Sequence, residues 1–296
     1  MILKMSYIFK PIKIIIKNVL IFRPRIILTI LFIPLLYLLG WILAKPLIFI
    51  RIGKENISLI GTIFTFSLFV ISIPKWFEIR WGCNNPWVQL GINKIDKKDN
   101  RFFYFIKGLL YSIILLSLIL IPIVRNQWGN WLGTVSPDIF LNSLLLIIGI
   151  GFAEELIFRG WLLEELKNQY GLKKGLIFQA LVFSLVHIGF DLPFWQMISI
   201  LFGLFLLGIL LSIIRIKDEN YLWGCAGLHG GLVGIWFLMN NGLVEISKDA
   251  PIWLVGPGNI NTNPLGGFYG ITLLIMIFIY NLFKYKNKIF NFYNDK

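Results

Sequence analysis

Two glutamates and an arginine, Glu154, Glu155 and Arg159, lie in a stretch of the chain that is apolar enough to cross a membrane. The two histidines of the chain, His187 and His229, also lie in apolar stretches. An ionisable side chain inside a bilayer is energetically unfavourable, so such residues mark a functional site by default. These side-chain types serve general acid–base catalysis and metal binding. The sequence therefore predicts a hydrophilic active site buried among apolar helices.

The spacing of the charged residues separates the two carboxylates. Glu155 and Arg159 are four residues apart and share one face of a helix, whereas Glu154 lies about 100° around the helix from Glu155. One glutamate can therefore pair with the arginine while the other meets a different environment. The alternative is a purely structural ion pair that holds helices together, which would leave the second glutamate unexplained.

The position of His187 matches that of Glu155 in depth. The chain is expected to turn near Gly171, which lies 16 residues after Glu155 and 16 residues before His187. At a rise of about 1.5 Å per residue, both side chains lie about 24 Å from the turn of an antiparallel helical hairpin. The sequence therefore predicts that Glu155 and His187 face each other across adjacent helices.

The second histidine, His229, lies in the glycine-rich segment 226–234. Glycines permit close approach of helices in a membrane, and they also leave room beside the imidazole for a substrate backbone. The alternative is a packing seam in which the histidine is incidental.

Two chemistries suit a glutamate and two histidines that converge in a cavity. In the first, Glu155 is a general base that takes a proton from water, and the histidines hold the water or stabilise the oxyanion. In the second, Glu155, His187 and His229 bind zinc with water in the fourth position, and Glu154 is the base. The HExxH pattern of zinc peptidases is absent from the sequence, which weakens the metal hypothesis without removing it.

A serine or cysteine nucleophile is less well supported. Ser184 lies one helical turn before His187, and Cys225 lies one turn before His229. Such a spacing within one helix does not by itself make a catalytic dyad. The two cysteines, Cys83 and Cys225, form no CxxC motif and are far apart in sequence, so we expect free thiols.

About eight apolar segments organise the chain. The composition is 57% hydrophobic with a mean hydropathy of +0.77, whereas a soluble domain is about 45–50% apolar. Near-uncharged runs of about 18–25 residues are long enough to cross a bilayer. The sequence predicts an all-α polytopic membrane protein, with about eight transmembrane helices around a buried hydrophilic cavity and no separate soluble domain. The predicted spans are 26–44, 57–74, 102–124, 138–160, 175–190, 193–214, 221–241 and 266–283.

Lysine and arginine are unevenly distributed between the connecting loops. If the spans alternate from a cytoplasmic N-terminus, the inner segments carry 21 of these residues and the outer loops carry five. This asymmetry predicts that both termini lie in the cytoplasm. The membrane itself is expected to be the plasma membrane or an internal membrane. The net charge of +13 is explained by these loops, and no nucleic-acid-binding motif accompanies it, so we expect the lipid bilayer and no nucleic acid as a partner. Segment 7–20 mixes lysines with apolar residues and is predicted to lie along the inner interface.

The order of these motifs resembles the CPBP intramembrane protease family, which comprises type II CAAX prenyl endopeptidases and Abi-like bacteriocin-processing or bacteriocin-immunity proteins. The resemblance is carried by the glutamate pair with its arginine, by Phe183 four residues before His187, and by a histidine in a later span. It covers about residues 138–241.

The resemblance implies a helical membrane core with a conical cavity in which peptide bonds are cut. One of the two glutamates would activate water, Arg159 would orient them, and the histidines would assist at the water and the oxyanion. Phe183 and Gly230 would support the substrate or the oxyanion. Members have been described both as metalloproteases and as metal-independent glutamate proteases, so a zinc cofactor stays open.

The expected substrates are peptides or membrane proteins reached from the bilayer or the cytoplasmic side, either prenylated CAAX substrates or other peptides. One departure from the family pattern is Val233, which stands four residues after the last histidine where many members have asparagine. Valine cannot donate a hydrogen bond to an oxyanion. This favours one rival, a non-catalytic immunity or scaffold protein of the same fold. A transporter is a second rival, because intramembrane Glu, His and Arg also build proton relays.

The predicted spans and motifs divide the chain into three regions. Residues 1–137 form an N-terminal membrane region with the interfacial segment and about three spans. Residues 138–241 form the catalytic core, and residues 242–296 hold an outer loop, the last span and a basic tail. The outer loop, 245–264, is rich in Gly, Pro and Asn, which indicates turns. It is either a simple connection or a cover for the outer mouth of the cavity.

Overall fold

The computed structural model describes residues 14–15, 17–50, 53–94, 100–189, 191–258 and 262–290. Most of the predicted interfacial segment 7–20 lies outside these residues. The chain divides into two compact units, Met1–Gln89 and Leu90–Lys296. The first unit ends within the predicted N-terminal membrane region, residues 1–137.

The first unit is a pair of long helices. Helix α1 (Arg25–Ala44) continues as a 3-10 helix (Lys45–Ile50) and packs against helix α2 (Lys54–Trp81), and a single turn, α3 (Pro86–Gln89), follows. A Cβ atom at Gly40 would lie 2.6 Å from the carbonyl oxygen of Gly61, so the two helices touch through their backbones.

The second unit contains the predicted site residues. Its central element is a 34-residue helical segment, Pro137–Tyr170, which we call the glutamate helix. Ser136 caps its first turn by accepting a hydrogen bond from the Ile139 amide at 3.3 Å. Gly171, with φ of 80°, ends it and begins the hairpin that the sequence predicts. Its parts are α5 (Pro137–Leu145), a π-helical turn (Leu146–Ile150), α6 (Gly151–Glu155), a second π-helical segment (Leu156–Leu162) and α7 (Leu163–Tyr170).

The other elements of this unit precede and follow the glutamate helix in the chain. They are α4 (Arg101–Arg125), β1 (Gly129–Trp131), α8 (Leu172–Leu185), α9 (Phe194–Lys217), α10 (Trp223–Leu238) with a π-helical turn (Met239–Leu243), β2 (Val244–Ile246), α11 (Ile252–Val255), a 3-10 turn (Pro264–Gly266) and α12 (Phe268–Phe290). Strands β1 and β2 pair antiparallel, with Gly129 opposite Ile246. Helix α10 packs against α4 and the glutamate helix, and a Cβ atom at Gly227 would lie 2.1 Å from the Phe105 carbonyl oxygen of α4.

The structure is an all-α polytopic membrane protein, as the sequence predicts. Within the described residues, six helices are long and apolar enough to cross a membrane. The other two predicted spans correspond to α8, with 14 residues, and α10, with 16 residues before its π-helical turn. The prediction of span 175–190 was therefore too long, because α8 ends at Leu185 and the chain goes on without helix. Non-helical backbone at membrane depth is tolerated where it lines a cavity, and Gly189 does line one.

Candidate active site

Glu155, Arg159 and His229 form a buried ionic cluster. The guanidinium of Arg159 donates to Glu155 Oε1 at 2.7 Å, and both side chains are 0% exposed. His229 Nδ1 lies 2.8 Å from the same oxygen. One carboxylate oxygen thus binds a residue on its own helix and a residue on α10. This arrangement fixes the rotamer of Glu155 and the plane of the His229 ring.

Glu154 occupies a different environment, and it lies close to both histidines. His187 Nε2 is 3.7 Å and His229 Nε2 is 3.9 Å from Glu154 Oε2. That oxygen is buried and makes no hydrogen bond to any described residue. The side chain as a whole is 28% exposed, and that of His187 is 33% exposed. The gaps leave Glu154 free to bind water or a substrate atom between the two rings.

His187 lies opposite Glu154, one residue before the glutamate that the hairpin spacing predicts. The prediction that Glu155 faces His187 was therefore wrong. Equal offsets from a turn determine depth and do not determine which side of the helix faces the partner. The π-helical segment at 156–162 also changes that facing side, since π turns contain more residues than α turns.

The hydrogen-bond partners assign the protons of the two histidine rings. His187 Nδ1 lies 2.7 Å from the carbonyl oxygen of Phe183, and this carbonyl only accepts hydrogen bonds. His229 Nδ1 lies 2.8 Å from a carboxylate oxygen, which accepts as well. Each Nδ1 therefore carries a proton, and each Nε2 is left to interact with Glu154, water or substrate.

The ring of Phe183 packs against the charged side chains of the cluster. Its ring is fully buried, and the guanidinium carbon of Arg159 lies 4.0 Å from its centroid. The rings of His187 and His229 pack against it edge-on, with centroids 4.9 and 5.6 Å away. A residue buried in this way acts on a substrate only by positioning the cation and the histidines. The Phe-x-x-x-His spacing has a physical reason, because the phenylalanine carbonyl is also the acceptor for His187.

Gly230 belongs to a helix contact beside the site. A Cβ atom at Gly230 would lie 2.0 Å from the carbonyl oxygen of Ile147, and one at Gly151 would lie 2.4 Å from the Gly230 Cα. The glutamate helix and α10 therefore meet backbone to backbone at this level. This close approach brings His229 within hydrogen-bond distance of Glu155.

Substitution of this glycine tests the contact. We expect Gly230→Ala to lower the free energy of unfolding by about 1–3 kcal/mol, because the added methyl group must push the helices apart. Thermal unfolding in detergent measures the effect. The matched control is Gly149→Ala, since no described atom lies within 4 Å of a Cβ at Gly149. Equal melting temperatures for the two variants would contradict the proposed tight contact.

A cavity of about 710 Å³ extends from the two histidines. Its walls come mainly from apolar residues of α4, α9, α10 and α12, and the polar residues Asn240, Asn241 and Asn263 also line it. Pockets of this size and character hold small ligands or a peptide segment in an orientation set by a few polar groups. The apolar lining side chains include Leu115, Leu116, Ile119, Met197, Ile200, Leu204, Leu207, Leu232, Val233, Phe237, Leu273 and Leu274.

The outer loop forms part of this cavity. Pro257, Gly258 and residues 262–265 line it. The indole of Trp236 on α10 donates to the Thr262 carbonyl oxygen at 3.0 Å, and a Cβ atom at Gly203 of α9 would lie 1.8 Å from the Leu265 carbonyl oxygen. Because its described residues line the cavity, this loop is more than a simple connection.

Ser184 and Cys225, the two less well supported nucleophiles, both make hydrogen bonds to backbone carbonyls. Ser184 donates to the Leu201 carbonyl oxygen at 2.6 Å, and Cys225 is fully buried with its sulfur 3.0 Å from the Leu211 carbonyl oxygen. Cys83 and Cys225 are both free thiols, which confirms the sequence prediction.

The arrangement does not fit the expected zinc ligands. Glu155 Oε1 already binds the Arg159 guanidinium and His229 Nδ1, so a second cation there would compete with a fixed positive charge. His187 turns its Nε2 toward Glu154 instead. Within the described residues, no group of three or more His, Cys, Asp or Glu side chains is arranged to hold a metal ion.

Sequence reasoning missed Arg215. Arg215 stands at the end of an apolar helix, where the charge count assigns it to an inner segment, but its side chain is 1% exposed. Its guanidinium donates to the backbone carbonyl of Arg159 and lies 3.2 Å from Glu164. Arg215 therefore ties α9 to the π-helical segment that carries Arg159. Its position directly after two isoleucines was the available signal.

Two segments of the chain match known families. Residues 10–85 match a domain of unknown function (DUF8676), and residues 136–235 match the family described as type II CAAX prenyl endopeptidase Rce1-like. No curated protein and no solved structure matches the chain. The second match includes the glutamate pair, Arg159, both histidines and Val233. The segment that carries this site is therefore similar to the Rce1-like type II CAAX prenyl endopeptidases, a family of peptidases.

Proposed function

We propose that the protein is an intramembrane endopeptidase in which Glu154 activates the water that attacks a peptide bond. The observation that carries the proposal is the buried Glu154 oxygen, which makes no hydrogen bond to a described residue and is flanked by the Nε2 atoms of two histidines that line the cavity. A general base needs an acceptor within reach of a water molecule and of the substrate carbonyl. Glu155 is a poorer base, since its side chain is fully buried and ion-paired.

The proposed reaction balances with water as the only co-reactant. Glu154 takes a proton from water while the water oxygen bonds to the carbonyl carbon, and the carbonyl oxygen becomes an oxyanion. The carbon–nitrogen bond then breaks, and the proton on Glu154 passes to the leaving amine. His187 offers Nε2 to the water. His229, whose Nδ1–H faces a carboxylate, stabilises the oxyanion from Nε2 when that atom is protonated.

The cavity supports a peptide or membrane-protein substrate with an apolar segment. Leucine and isoleucine side chains of α9 and α4 suit apolar side chains or a lipid chain, and the asparagines suit backbone amides. Both substrate types named for the family, prenylated CAAX sequences and other processed peptides, meet this description. The proposal assigns Glu155, Arg159 and Phe183 to positioning and uses no metal.

Cleavage of a peptide library by the purified protein tests the proposal. We expect the wild type to cleave apolar peptides equally well with and without a strong chelator, and Glu154→Gln to cleave them far more slowly. Loss of cleavage in the chelator alone would contradict the metal-free mechanism. A library should include prenylated and unmodified peptides of the same sequence, so that the requirement for a lipid chain is measured in the same assay.

Val233 favours a second candidate, a non-catalytic protein of the same fold that binds a peptide. The valine lines the cavity one turn from His229, at the position where the family pattern has a hydrogen-bond donor. This candidate predicts that the wild type cleaves no member of the library yet binds one of them, and that Glu154→Gln binds it with unchanged affinity. Measured binding without cleavage would favour it over the peptidase.

A further inference from the structure

The cavity extends toward only one end of the second unit. Its lining includes Gly189, Asp191 and Leu192 from the segment after α8, and Asn240 and Asn241 from the turn after α10. None of the described residues in 161–174, 215–222 or 284–290, which form the opposite helix ends, is among its lining residues. The site is therefore the floor of a cavity that opens away from those segments.

Most of the positive charge of the second unit lies at the helix ends that do not line the cavity. Among the described residues of the second unit, segments 90–94, 100–101, 161–174, 215–220 and 284–285 carry eight lysines and arginines, whereas the described residues of the cavity end carry Arg125 and Lys248. Positive charge is enriched on the cytoplasmic side of membrane proteins. Exposed tryptophans such as Trp195 and Trp253 lie at the cavity end, as expected for side chains at the level of the lipid headgroups.

We infer that the active site takes its substrate from the non-cytoplasmic side of the membrane, as an extended apolar peptide segment. The inference rests on the proposed peptidase function, and it replaces the expectation that substrates are reached from the cytoplasmic side. The described residues of the basic segments do not line the cavity, and the buried pair of Arg215 and Glu164 lies on that side of the site. Water and peptide therefore reach Glu154 past Asp191 and Asn241.

The mouth suits a peptide main chain. Asn240 and Asn263 place amide groups there, and the Thr262 hydroxyl is buried without a hydrogen-bond partner among the described residues. An extended strand exposes a donor and an acceptor at every residue, so amides and a hydroxyl can hold it independently of side-chain sequence. Apolar side chains of the peptide would then enter the leucine-rich part of the cavity.

Cysteine labelling tests the side of access without relying on catalysis. Each variant introduces one cysteine into a Cys83→Ser background, in which the remaining Cys225 is buried and out of reach of the reagent. Asp191→Cys and Asn241→Cys mark the mouth, and Lys174→Cys is the matched control at the basic end, because all three positions are exposed. Intact cells that express each variant are treated with a membrane-impermeant maleimide, before and after permeabilisation.

We expect the two mouth variants to be labelled in intact cells and the Lys174→Cys control to be labelled only after permeabilisation. The opposite pattern, or labelling of all three only after permeabilisation, would overturn the inference. A second readout links access to catalysis: maleimide on Asn241→Cys should block peptide cleavage, and maleimide on Lys174→Cys should not. Labelling as expected with no cleavage by any variant would reject the peptidase function and leave the orientation of the cavity standing.

Discussion

Glu154→Gln is expected to reduce the rate of peptide cleavage by about 10²- to 10⁴-fold, the usual contribution of a general base. Glutamine has the shape of glutamate but cannot accept a proton from water. Because Glu154 Oε2 makes no hydrogen bond to any described residue and lies 3.7 and 3.9 Å from the two histidine Nε2 atoms, the substitution breaks no internal hydrogen bond of that oxygen. The melting temperature should therefore stay close to that of the wild type, which separates a catalytic loss from a folding defect.

The measurement is the initial rate on a peptide that the wild type cleaves, together with thermal unfolding of each protein. Glu245→Gln is the matched control, since Glu245 is an exposed glutamate in β2 and outside the cavity. A Glu154→Gln protein that cleaves as fast as the control would show that another group activates the water. A large loss of stability would instead point to a structural role for this carboxylate.

Glu155→Leu is expected to destabilise the fold by about 3–5 kcal/mol, because it leaves the buried Arg159 guanidinium without its carboxylate. Arg159→Leu should cost a similar amount, since it leaves Glu155 charged among apolar side chains. The double variant Glu155→Leu/Arg159→Leu removes both charges and should recover most of the lost stability. Thermal or denaturant unfolding of the four proteins gives the coupling between the two residues.

Among the Glu155 and Arg159 variants, the rate of peptide cleavage should not recover when the free energy of unfolding recovers. His229 loses the acceptor for its Nδ1 proton whenever Glu155 is absent, so its ring is free to turn away from Glu154. The stable double variant is therefore expected to remain as inactive as either single variant. Recovery of cleavage along with stability would mean that Glu155 serves the fold alone, and that His229 is held by other contacts.

The local parts of the site could be read from the sequence. The spacing of Glu155 and Arg159 predicts their ion pair, and the structure has it. The turn at Gly171 was also predictable, because glycine adopts the positive φ that ends the helix. These features depend on residues close in sequence, where helix geometry alone determines which side chains meet.

The long-range parts could not be read in the same way. Whether Glu154 or Glu155 faces His187 depends on two π-helical turns, which the apolar periodicity of the segment does not signal. The role of Gly230 depends on which helix packs against it, and the role of Arg215 depends on the fold of a helix 56 residues after Arg159. A charged residue that follows an apolar run has the same sequence pattern whether its side chain is solvated or buried against another helix.

The buried side chains of Arg159 and Arg215 bear on whether protons can leak across the membrane through the site. A cavity that admits water as far as Glu154 shortens the insulating path that separates the two aqueous sides. A proton that moved on from Glu154 would meet the guanidinium groups of Arg159 and Arg215, which are 0% and 1% exposed and lie on the closed side of the cluster. Fixed positive charge of this kind repels protons and cations in membrane pores. In the proposed peptidase, water would thus enter the bilayer for hydrolysis without opening a path for protons to the other side.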